Sequence, residues 1–142
     1  MTHSPESYAE LAEYCTKKMG WNEVEFWYFT PEEEKIFKAN WNPCENKEQA
    51  FVILDEWLDY VITKEYDDGW TTYRVKVKEA YQNEWMGEAS SDVLAYCIVK
   101  ACVEGWKQID KRQLYSQLHD KQIISTQNLC KKFGIDFGEN ND

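Results

Sequence analysis

The feature that most limits the fold of this chain is a turn signal between two runs of β-forming residues. Asp67-Asp68-Gly69 separates residues 61–66, rich in β-branched and aromatic types, from an alternating run over Trp70 to Lys78. Asp-Gly suits the left-handed backbone of a tight hairpin turn. In the second run Thr71, Tyr73, Val75 and Val77 share one face, and Trp70, Thr72, Arg74, Lys76 and Lys78 share the other. That second face is basic and amphipathic, not a buried core face. A hairpin here forces at least one antiparallel pair, so an all-parallel sheet is excluded.

Around the hairpin the periodicity predicts helices. Ser4-Pro5 opens the first, over about residues 5–19, with Tyr8, Leu11, Ala12, Cys15 and Met19 at helical spacing and Gly20 as its stop. Val24 to Phe29 is apolar or aromatic on both faces and reads as one strand buried from both sides. Thr30-Pro31-Glu32-Glu33 has the pattern of a capping box, with Glu32, Glu33 and Glu34 in a short helical turn. Asn46 with Gln49 is a second capping box, leading a helix over about 47–60 whose apolar face holds Ala50, Ile53, Leu54, Trp57, Leu58 and Val61. A short strand is expected within 80–87. Ser90 is expected to cap a third helix, 91–104, with Val93, Leu94, Cys97, Ile98, Ala101 and Cys102 as its stripe.

These elements predict an α+β protein in which the three helices pack on a mixed or antiparallel sheet. After Gly105 the character changes, and Ile109, Leu114, Leu118, Ile123, Ile124, Leu129 and Phe133 suggest one or two further amphipathic helices. The expected organisation is a domain over 1–106 and a helical C-terminal extension with a polar tail over 107–142. Apolar residues added to a domain that is already complete need a cover, so the expectation is a homodimer with 107–133 at the interface.

Composition narrows the classes of function. The net charge is −10, and all of the excess lies in residues 1–70, which hold 16 acids against 6 bases. Direct nucleic-acid binding needs a basic patch, and none is expected. No apolar run approaches the roughly 18 residues of a membrane span. The start of the chain does not read as a signal peptide, so the expected compartment is the cytoplasm. The five cysteines include no C-x-x-C pair and read as structural thiols in a reducing compartment rather than as a zinc or redox site.

Catalytic signatures are missing: there is no P-loop, no G-x-G-x-x-G and no G-x-S-x-G. His3 and His119 have no sequence neighbour that makes either a convincing base, so neither an enzyme nor a metal or other cofactor is expected. Two surfaces could carry a function. Glu32, Glu33, Glu34, Glu48, Asp55, Glu56, Asp59, Asp67 and Asp68 could dock on a basic groove of another protein, although an acidic surface is also simply a soluble one. Trp70, Arg74 and Lys76, with Tyr73 on the opposite face, could instead clamp a nucleotide, although such side chains also snorkel at a sheet edge. Seven tryptophans are present, and Trp41, Trp70 and Trp85 are the ones the pattern does not bury.

Several local phrases, in order, resemble the phage ABA sandwich domain family of small phage and prophage proteins. They are Met19-Gly20-Trp21, Trp41-Asn42-Pro43, Glu45-Asn46 before a helix with Ala50, Gly69-Trp70, and Ser90-Ser91-Asp92 before Leu94 to Ala101. The similarity covers about residues 8–104. It implies a three-layer α/β/α sandwich and a phage or prophage origin, and it brings no catalytic residues. With the acidic bias it leads to a non-catalytic interaction protein that antagonises a host protein with a basic surface, or an anti-defence role. The alternative is a sponge for a nucleotide immune signal. The segment 31–38 and everything after Gly105 depart from the family pattern.

Overall fold

A computed structural model describes the backbone of residues 5–79 and 83–132, and the side chains of 8–79 and 83–119. The expected α+β class with antiparallel pairing is what the chain adopts, with two three-stranded sheets and three α-helices among the described residues. Helix α1 spans Pro5–Lys18. Gly20 comes after it at φ 76°, a left-handed position where a glycine avoids the steric penalty.

Val24 to Phe29 is not one buried strand. It is a hairpin of β1 (Asn22–Val24) and β2 (Trp27–Phe29), turning at Glu25-Phe26. Val24 and Phe26 are exposed, and only Tyr28 is buried. Glu25 takes φ 52°. The segment from Thr30 also does not start a helix. The Glu33 amide donates to the Thr30 carbonyl at 2.8 Å, the Glu34 amide to Thr30 Oγ1 at 3.0 Å, and the Thr30 amide to the Glu34 carbonyl at 2.9 Å. A β-turn with Pro31 in its second position and Glu33 at φ 67° leads into β3 (Lys35–Phe37). A type I turn and the first turn of a helix share right-handed backbone and both accept Thr-Pro, so the residues downstream decide between them. Here they form a strand that pairs antiparallel with β2.

Helix α2 is shorter than expected, Lys47–Leu54. Its last turn tightens, with the Glu56 amide on the Ile53 carbonyl and the Trp57 amide on the Leu54 carbonyl. Trp57 is buried there, 5.6 Å from the Trp106 ring. The chain then turns into β4 (Asp59–Asp67), so Leu58, 81% exposed, and Val61 do not extend a helical stripe. The hairpin of β4 and β5 (Trp70–Lys78) is as expected, with Asp68 and Gly69 both at positive φ. β6 is Gly87–Ser91 and pairs antiparallel with β5. The strand expected in 80–87 thus falls mostly later, and residues 80–82 lie outside the described residues.

Ser90 belongs to β6, and the hydroxyl that meets the next helix is that of Ser91, which accepts from the Val93 amide at 3.1 Å. Helix α3 runs over Leu94–Lys132, through Gly105 rather than stopping before it. Its first turns are buried nearly all round: Ala95, Cys97, Ile98, Val99, Ala101, Cys102 and Val103. Such a helix has structure on more than one side. Cys97 Sγ reaches the Tyr73 and Ala89 carbonyls of the second sheet, and the Tyr96 ring lies 5.5 Å from Tyr8 of α1. Gly87 and Gly105 permit the contact. A Cβ on Gly87 would stand 2.1 Å from the Ala101 carbonyl oxygen, and one on Gly105 2.7 Å from the Trp57 ring. The chain divides into two compact units, Met1–Gln108 and Ile109–Asp142. In the second, Leu114, Tyr115 and Leu118 are exposed, the side chains of Ile123, Ile124 and Leu129 are not described, and Phe133 lies outside the described residues.

Candidate functional site

The segment after α1, the turn after β2, the loop after β3 and helix α2 line an open cavity of about 500 Å³. Its apolar lining is Met19, Trp21, Ile36, Trp41 and Val52. Trp41 and Met19 are each 8% exposed, and the Trp21 and Trp41 rings are 4.6 Å apart. Gln49 holds this wall together. Its Oε1 accepts from the Asn42 amide and its Nε2 donates to the Asn40 carbonyl, both at 2.6 Å. That fixes the segment carrying Trp41 to α2. Asn46 caps the same helix, its side chain accepting from the Gln49 amide at 3.1 Å. The capping box is therefore half formed, because the Gln49 side chain is used across the loop instead.

Four carboxylates complete the lining: Glu32 and Glu34 from the turn, Asp55 and Glu56 from the end of α2. All four are exposed. Among the described residues no lysine or arginine forms an ion pair with any of them, whereas Glu13, Glu23, Asp59, Glu88 and Glu104 each have a basic partner. The two lysines that follow the turn are engaged elsewhere. Lys35 lies over the Trp27 ring at 4.0 Å, and Lys38 pairs with Glu23 and lies over Tyr28. Among the described residues no three His, Cys, Asp or Glu side chains converge closely enough to hold a metal ion.

The structure thus gathers Glu32, Glu34, Asp55 and Glu56 and leaves the other acidic candidates outside the cavity. Glu33 faces solvent at the turn, and Glu48 sits in the first turn of α2. Asp59 pairs with Lys78 at 3.6 Å, directly across the β4–β5 ladder. Asp67 and Asp68 are at the hairpin tip. Trp70, Arg74 and Lys76 lie on one face of β5, with Tyr73 on the other, and none of the four lines the cavity. Trp70 is 72% exposed, and Arg74 Nε is 3.8 Å from Glu88 Oε2, which offsets its charge. The aromatic lining is what the sequence did not disclose. Trp41 stands out there only as a residue with no evident burial, and the contact with Trp21 joins segments twenty residues apart.

Cys15, Cys44, Cys97 and Cys102 are buried and free. Burial pushes the Cys44 thiol up to about 12, helped by the nearby Glu45, and the Cys97 thiol up to about 11 against backbone hydrogen bonds that lower it. Burial also raises Cys15 and Cys102. Thiols held this way are poor nucleophiles and poor metal ligands. His119 is within α3 and is exposed; His3 lies outside the described residues. Among the described residues no helix is long and apolar enough to cross a membrane. Comparison with family models, with curated proteins and with solved structures found no match to this chain.

Proposed function

We propose that this protein is a non-catalytic interaction protein of the phage or prophage kind, which antagonises a host protein or defence system in the host cytoplasm by docking on a basic surface. The observation that carries this reading is the convergence, on a cavity with an aromatic wall, of four carboxylates without counter-ions among the described residues. Solvated surface acids need no such wall. An apolar wall beside unpaired charge offers both terms of a docking site: area to exclude water, and a field that steers a partner of opposite sign. The same field repels phosphate, so this cavity suits a cation and not a nucleotide.

The test is capture from bacterial lysate on the immobilised protein, run beside a variant carrying Glu32→Gln, Glu34→Gln, Asp55→Asn and Glu56→Gln. The four positions are exposed, so the variant keeps its fold. The expected outcome is a basic protein retained by the natural sequence, lost from the variant and released as salt rises. Equal retention on both would overturn the reading.

A further inference from the structure

The same cavity carries a more specific assignment, which rests on the docking reading above. The geometry points to an arginine side chain of the partner as the group the cavity receives, its guanidinium against the exposed part of the Trp21–Trp41 pair and its charge shared by the carboxylates of Glu34 and Asp55 and their neighbours.

Three observations lead there. First, the acids are spread around a space of about 500 Å³ and do not form a cluster tight enough for a metal ion. The space is of the size that encloses an organic group rather than a bare cation. Second, the wall behind the charges is indole and aliphatic. Trp21 is half-buried and Val52 is 46% exposed, so both present apolar surface to whatever enters. A long side chain can lay its methylenes along such a wall while its charged end stays among the carboxylates. Third, the two kinds of lining favour one cation over the other. A guanidinium is planar and weakly hydrated, stacks on an aromatic face, and offers several donors in a fork that matches carboxylates arriving from two sides. Here they arrive from the hairpin turn and from the end of α2. A lysine ammonium is a strongly hydrated point charge. It would keep its water at these exposed acids and gain less from the indoles. That the four carboxylates have no basic partner among the described residues is what a receptor for an external cation requires.

The test uses a capped Gly-Ser-Arg-Ser-Gly peptide, its lysine counterpart and its citrulline counterpart, which keeps the shape and removes the charge. Each is titrated into the whole protein labelled with nitrogen-15, and the indole N–H resonances of Trp21 and Trp41 are monitored. The expected result is saturable movement of the Trp21 resonance with the arginine peptide, binding weaker by roughly tenfold for lysine and no saturation with citrulline. Glu34→Gln with Asp55→Asn should abolish the movement. In Trp21→Leu, followed through the Trp41 resonance, arginine and lysine should bind with similar affinity, a change that simple loss of charge attraction does not produce. Equal binding of lysine and arginine peptides, both lost in the Gln/Asn variant, would overturn the arginine assignment and leave the docking reading standing. No movement with any peptide would overturn the arginine assignment too, and if the four-site variant also kept its captured partner, the docking reading would fall with it.

Discussion

Tyr28 and the cysteines show how burial, as the largest of several influences, sets residue chemistry here. The four described thiols are enclosed, and their ionised form is disfavoured by desolvation. In a Cys130→Ser background they should react with a thiol reagent at pH 8 only as fast as the protein opens, and at once in denaturant. Rapid labelling of the folded protein would contradict the burial. Stability should also fall in alkali. The unfolded thiols lose protons from about pH 9, while folded Cys97 and Cys44 hold theirs to about 11 and about 12. Between those limits the folded state binds more protons, so raising the pH favours unfolding, by roughly 1 kcal/mol per buried thiol at pH 10. Tyr28, raised chiefly by burial, acts in the same direction. Urea midpoints at pH 8 and pH 10 check the sign, and an unchanged midpoint would speak against it. The sequence disclosed the inert character of these cysteines through the absence of paired spacing. It could not disclose which tryptophans meet, because Trp21 and Trp41 are brought together by the fold and not by any local period.

At the scale of elements, what was legible came from local chemistry. Asp68-Gly69 announced its turn because both positions need positive φ. The turn at Glu25 stayed hidden because it contains no glycine, asparagine or aspartate, and the apolar residues around it read as a single strand. Helix α2 was legible at its start, where Asn46 caps it, and not at its end, where the burial of Trp57 draws the chain out of the helix. Asn46→Ala should cost about 1 kcal/mol and, by loosening Gln49, weaken the cavity wall; thermal melting measures the first effect. Gly105 reads along the chain as a boundary, yet its role is a close approach. Alanine in place of an exposed helical glycine gains about 1 kcal/mol. Gly105→Ala should instead destabilise, by about 1–3 kcal/mol, because the added methyl meets Trp57 and Val77. Gly87→Ala should cost at least as much, since its methyl meets backbone, which cannot swing aside. A stabilised Gly105→Ala protein in denaturant titration would show that helix and hairpin are not in contact there.

For the whole molecule, a strongly lopsided charge was plain in the sequence, but not which acids act together. Nine candidates reduced to four once the hairpin turn of sheet one met the end of α2, a meeting that no spacing along the chain encodes. The segment beyond Gln108 leaves Leu114, Tyr115 and Leu118 more than half exposed. Residues 114 and 118 are neighbours on one helix face and call for a cover, so the full chain should scatter light as a dimer and a chain ending at Gln108 as a monomer. A monomeric full chain would remove that expectation. Docking of this kind requires that the cavity, and not the acidic surface at large, takes the basic partner. The most direct measurement is a map of backbone amide shifts as a short oligo-arginine peptide is added at near-physiological salt. Saturable shifts confined to the residues around Trp21, Glu32 to Ile36, Trp41 and Val52 to Glu56 are expected. Shifts spread evenly to Glu48, Asp67 and Asp68, without saturation, would contradict it and reduce the acidic face to solvation.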